Sequence, residues 1–104
     1  MGEPTEDFNN MRHCIMLTFK PEATPEALNN LAEALRALPA QISEIRSYEV
    51  GLDLGYNDAN YQLGIIASFE NREDWQTYLD HPAHQAVVRD HIAPIVTARA
   101  AIQF

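Results

Sequence analysis

The sequence predicts an α+β domain in which helices cover one face of a four-stranded antiparallel sheet. Three observations point there. Four segments are rich in β-branched and aromatic residues or alternate between apolar and polar. Two blocks carry apolar residues at helical spacing. Their order along the chain is β-α-β-β-α-α-β.

The elements follow in turn. Residues 12–19, RHCIMLTF, read as a strand that stops at Lys20-Pro21. Thr24-Pro25-Glu26 is a helix start, with a hydroxyl cap, proline at the first helical position and an acid in the first turn. The helix then places Leu28, Leu31, Ala32, Leu35 and Leu38 on one face, and Pro39 ends it. Residues 45–52, IRSYEVGL, alternate as a second strand. The stretch DLGYNDAN is dense in turn formers and reads as a loop. Residues 62–69, QLGIIASF, form the third strand. Asn71 caps a short helix with Asp74 three residues on, and Trp75, Tyr78 and Leu79 line its inner face. Pro82 opens a further helix to about Ala93, and residues 97–104, TARAAIQF, close the sheet. This is the ferredoxin-like split βαβ plan.

The strands are too apolar for a sheet covered on one side alone. Ile15, Leu17 and Phe19 share one face of the first strand, yet Cys14 and Met16 occupy the other. In the third strand Leu63, Ile65, Ala67 and Phe69 share a face opposite Ile66. A half-covered sheet alternates more cleanly. The second face is therefore expected to meet a partner, most economically a second copy in a C2 dimer packed sheet against sheet.

The 104 residues suffice for one domain that buries roughly two-thirds of its unfolded surface. With 46% hydrophobic and 21% charged residues and no low-complexity block, a globular fold is expected. Residues 1–10, MGEPTEDFNN, are acidic and polar and read as a flexible tail, leaving residues 11–104 as the folded domain. They lack the basic and apolar regions of a signal peptide, and no apolar run approaches the ~18 residues of a membrane span. The single cysteine forms no intrachain disulfide and fits a reducing compartment, so a cytoplasmic location is expected. A net charge of −8 without a basic stripe argues against nucleic acid as a partner.

Chemistry concentrates in TYLDHPAHQAVV, residues 77–88, where His81 and His84 bracket a proline. With Pro82 at the first helical position, His81 is the cap and His84 begins the stripe His84-Val87-Val88-His91-Ile95 that faces the sheet. An inward imidazole near a helix N-terminus stays neutral and can serve as a general base. A histidine there can equally satisfy a buried backbone group and lock the corner between helices, which is the commoner role for an isolated histidine on an apolar face. His13 shares parity with Ile15 and Leu17, and Tyr78 brings a phenol to the same side. Converging on one cavity, these groups make an acid–base set; packed apart, they are core residues. The H-x-x-H spacing lacks the acids or cysteines of a metal site, so no metal or cofactor is expected.

The segments MRHCIMLTFKPEATPEALNNLAEALRALPAQI, IRSYEVGLDL and YLDHPAHQAVVRDHIAPIV together resemble the stress-responsive α/β-barrel (Dabb) family. The resemblance spans Met11 to Phe104, and its most specific motifs are R-H-x-x-x-x-x-F-K and H-P-x-H. It implies a ferredoxin-like protomer and a dimer whose two sheets form a barrel. Most members have no assigned reaction. One branch, similar to the plant olivetolic acid cyclase, closes a linear polyketide by intramolecular aldol condensation. There a histidine of H-P-x-H acts as base, a tyrosine six residues earlier assists and a first-strand histidine shapes the site. These positions correspond to His84, Tyr78 and His13. A further histidine of the cyclase falls on Leu63, which implies a more apolar cavity here.

Two functions follow as expectations. In one, His84 is the general base of a cofactor-free cyclase acting on a small β-keto substrate, with Tyr78 polarising a carbonyl and His13 orienting substrate or relaying the proton. It expects a pocket between sheet and helices lined by His84 and Tyr78. In the other, the homodimer is non-catalytic and serves stress tolerance or binds a small hydrophobic ligand. A cofactor-free monooxygenase or isomerase is a third reading that rests on fold analogy alone.

Overall fold

The structure, a computed structural model, describes residues 10–104, so nearly all of the segment read as a tail lies outside the described residues. Four strands, β1 (Met11–Phe19), β2 (Ser47–Leu52), β3 (Leu63–Phe69) and β4 (Val96–Gln103), form one sheet in the order β2-β3-β1-β4. Every neighbouring pair is antiparallel. Three α-helices accompany it: α1 (Pro25–Arg36), α2 (Arg72–Asp80) and α3 (Pro82–Val87). The ferredoxin-like α+β architecture is thus the one the element order predicts.

The helix starts are set by local chemistry. Thr24 accepts the Ala27 N–H at 3.1 Å, Asn71 that of Asp74 at 2.8 Å, and the His81 ring nitrogen Nδ1 that of Ala83 at 3.0 Å. Each cap satisfies an N–H that the helix cannot partner internally. The turn after β2 needs one left-handed residue, supplied by Gly55 at φ 84°, whose N–H is accepted by Asp53.

The helix expected over 82–93 is corrected by the structure. It is α-helical only to Val87 and then opens into a π-turn over Val88–Ile92, where the Ala93 N–H returns to Val88 O at 2.8 Å. Pro94 has no N–H to return to Asp90, and its ring crowds that carbonyl, so the last turn widens. The wider turn takes His91 off the three-and-four spacing assumed for the stripe.

The core lies between sheet and helices. Ile15, Leu17, Phe19, Leu63, Ile65, Ala67 and Phe69 meet Leu31, Ala32, Leu35, Leu38, Tyr78 and Val87, all buried. The opposite face is open: Met16 is 46% exposed, Ile66 48%, Ile102 59% and Phe104 65%. Register aligns Ile66 with Cys14 and Cys14 with Ile102, so these apolar groups form one patch. No helix among the described residues is long and apolar enough to cross a membrane.

Candidate functional site

Register builds the floor of the site. On the helix-covered face, one row of residues runs across all four strands: Tyr48 on β2, Ala67 on β3, His13 on β1 and Gln103 on β4. The methyl of Ala67 leaves a gap between the two larger rings. Tyr78 descends from α2 into that gap, its ring centroid 6.0 Å from His13 and 6.1 Å from Tyr48. The His84 ring lies against that of Tyr78, with centroids 4.4 Å apart. The three residues singled out from sequence, His84, Tyr78 and His13, therefore occupy one corner. His81 stands apart as the cap of α3.

Hydrogen bonds fix each group. The Tyr78 and Tyr48 hydroxyls bond one another at 2.8 Å. His84 Nδ1 lies 3.1 Å from Leu79 O, which also receives Gln85 Nε2 at 2.9 Å. A carbonyl only accepts, so His84 Nδ1 carries the proton and Nε2 is left with its lone pair. Trp75 Nε1 donates to His13 Nδ1 at 3.2 Å. No buried side-chain nitrogen or oxygen among the described residues lacks a partner. Nε2 of His13 and Nε2 of His84 make no hydrogen bond among the described residues, so neither atom is fully enclosed.

Burial keeps every one of these groups uncharged. His13, 4% exposed, is pushed down to about 4, chiefly by loss of hydration and then by Arg99 and His84. Burial also lowers His84, against the opposing pull of its bond to Leu79 O. Both phenols are raised, again chiefly by burial. At neutral pH the corner therefore holds two neutral imidazoles and two neutral phenols, a set able to accept a proton at His84 and to donate hydrogen bonds from tyrosine.

Sequence reasoning missed three members. Tyr48 shares its face with Val50 and Leu52, which the alternation of β2 displays, but its meeting with Tyr78 depends on how β2 registers with β3. Gln103 and Trp75 as partners of His13 depend likewise on pairing between β1 and β4 and on how α2 docks. The expected pocket also needs correction. Three concavities, of about 710, 380 and 450 Å³, are lined by other residues. Tyr78, 1% exposed, fills the space expected to be open, because its ring is the plug over Ala67. The third concavity comes nearest, since Trp75 and Gln103 form part of its wall. Among the described residues no group of three or more His, Cys, Asp or Glu could hold a metal ion.

A four-stranded ferredoxin-like sheet with a histidine–tyrosine corner under its helices places the chain in a recognisable class of small α+β proteins. The chain belongs to the Stress Responsive A/B Barrel Domain (Dabb) family, whose model matches residues 11–104. It is 36% identical over 56 residues to an uncharacterised protein of Streptomyces coelicolor, a match covering 54% of this chain and 58% of that one. Among solved structures it is similar to a dimeric ferredoxin-like protein of unknown function from Thermobifida fusca, with TM-score 0.84, 34% identity and coverage of 91% and 89% of the two chains. It also shares its fold with the hydroxynitrile lyase of Passiflora edulis, at TM-score 0.80 and 14% identity over 92% of each chain.

Proposed function

We propose that this chain is a cofactor-free acid–base enzyme that works as a homodimer in the cytoplasm, on a small β-keto substrate. His84 removes a proton flanked by carbonyls, the carbanion attacks a second carbonyl of the same molecule, and the alkoxide so formed takes that proton back from His84, an intramolecular aldol cyclisation like that of the olivetolic acid cyclase branch. The phenol pair of Tyr78 and Tyr48 donates a hydrogen bond to the carbonyl under attack. Both phenols have raised pKa values and stay protonated, so they polarise rather than exchange protons.

One observation carries the reading: His84, its ring held neutral with the proton on Nδ1, keeps a bare Nε2 lone pair beside the buried Tyr78, whose hydroxyl bonds that of the half-buried Tyr48. General-base catalysis of this kind contributes about 10²–10⁴-fold. The apolar patch of Met16, Ile66, Ile102 and Phe104 supports self-association through the sheet, as does the dimeric description of the Thermobifida fusca relative.

His84→Ala is the direct test. Gln85 also donates to Leu79 O, so that carbonyl keeps a partner in the variant, and the expected loss of stability is at most about 1 kcal/mol. Turnover should vanish while circular dichroism and dimerisation persist; undiminished turnover would contradict the assignment. A second reading is favoured by the burial of Tyr78 and by concavities that miss His84. In it the dimer binds a small hydrophobic ligand and catalyses nothing, and His84→Ala leaves ligand affinity within about threefold.

A further inference from the structure

The two imidazoles of this corner are held in opposite tautomers. Among the described residues the only partner of His84 Nδ1 is the carbonyl of Leu79, which requires a proton on that nitrogen. Around His13 the polarity is reversed. The indole N–H of Trp75 can only donate, and it points at Nδ1 from 3.2 Å. The amide nitrogen of Gln103, placed directly opposite His13 by the β1–β4 register, donates to the same atom from 2.9 Å. No acceptor among the described residues is bonded to that nitrogen. His13 Nδ1 is therefore bare, and the single proton of the neutral ring sits on Nε2.

We propose that Trp75 and Gln103 are positioning residues that make His13 a hydrogen-bond donor toward the site, so that the corner presents one imidazole as acceptor and the other as donor. The chemical demand on the ligand is then specific. His84 takes a proton, while His13 Nε2–H meets an oxygen with no proton to give, such as a carbonyl or the enolate oxygen that forms when a neighbouring carbon is deprotonated. The proton-relay role expected for His13 gives way to oxygen binding, because a relay through Nδ1 would have to pass its proton to an indole N–H that accepts none.

The arrangement is also self-enforcing. A second proton on Nδ1 would face two N–H donors, so the ring cannot become imidazolium without breaking both contacts. The edge-to-face seat of His13 on Trp75, at 5.9 Å and 61°, holds the ring plane in place. The role of the donor in turnover rests on the function proposed above; the tautomer itself does not.

Long-range proton–nitrogen correlation spectra of ¹⁵N-labelled protein at neutral pH test the proposal, with His13 assigned by the signal lost in His13→Gln. The expected result is a proton on Nε2 of His13 and on Nδ1 of His84, with the bare nitrogens shifted far downfield. In Trp75→Phe the His13 signals should move toward the average of two tautomers. In Trp75→Phe/Gln103→Glu the carboxylate should draw the proton to Nδ1 and invert the pattern, with His84 unchanged. A native His13 protonated at Nδ1, or averaged, overturns the proposal on the native protein alone, even if the variants fold poorly. A double variant that folds and keeps Nε2–H removes the positioning role. Failure to find turnover on any β-keto compound would sink the proposed reaction and leave these spectra as they are.

Discussion

His13 is almost enclosed, neutral and saturated with donors at Nδ1, and that has a consequence for stability in acid. Its folded pKa of about 4 lies below the ordinary 6.5, so between those values the unfolded chain holds a proton that the folded one does not. The stability tied to the neutral ring is complete above pH 6.5 and is lost as pH falls toward about 4, at most about 3.5 kcal/mol at 1.4 kcal/mol per unit. His84 acts in the same direction. Thermal melts from pH 7 to 4 should therefore show a falling Tm, with a shallower slope in His13→Gln; equal slopes would contradict the burial argument. Of these residues, His84, Tyr78 and His13 were legible because strand parity and helical spacing say which face each occupies. Tyr48 was not, since parity shows a face and never a cross-strand neighbour.

At the scale of elements, the row Tyr48–Ala67–His13–Gln103 depends on one small residue. Ala67 is fully buried under Tyr78, and a larger side chain there competes with the phenol for the same gap. Ala67→Val should cost about 1–3 kcal/mol by overpacking, read by denaturant melts, and should lower the proposed turnover. Wild-type stability in that variant would mean the gap is not the one described. The cap on α2 offers a milder probe. Asn71→Ala removes the acceptor of the Asp74 N–H and should cost about 1 kcal/mol in the same melts, because this helix carries both Trp75 and Tyr78. The caps at Thr24, Asn71 and His81 were all readable in sequence, since each acts within three residues. The π-turn over Val88–Ile92 was not: apolar spacing reports a face, and the widening is driven by a backbone clash that leaves no trace in that spacing.

At the scale of the whole molecule, the two faces of the sheet divide the labour. One face, under the helices, holds the neutral corner; the other leaves Met16, Ile66, Ile102 and Phe104 exposed, and the proposed dimer seats a second copy there. In a C2 pairing each substitution enters twice, so Met16→Glu should turn a dimer into a folded monomer by sedimentation at micromolar concentration, with unchanged circular dichroism. A native protein already monomeric under those conditions would contradict the pairing. That bare face was legible early, because Cys14, Met16 and Ile66 break the alternation a solvated sheet would keep. The plugged space under α2 was not, since spacing alone does not say whether a tyrosine borders a cavity or fills it. The central claim is that the His84 lone pair takes a proton from carbon. Deuterium uptake at the carbon between the carbonyls of a small β-keto ester, followed by NMR in D₂O, measures that step without needing the natural substrate. Wild-type protein should speed the uptake about 10²–10⁴-fold over folded, dimeric His84→Ala; equal rates for the two proteins would contradict it.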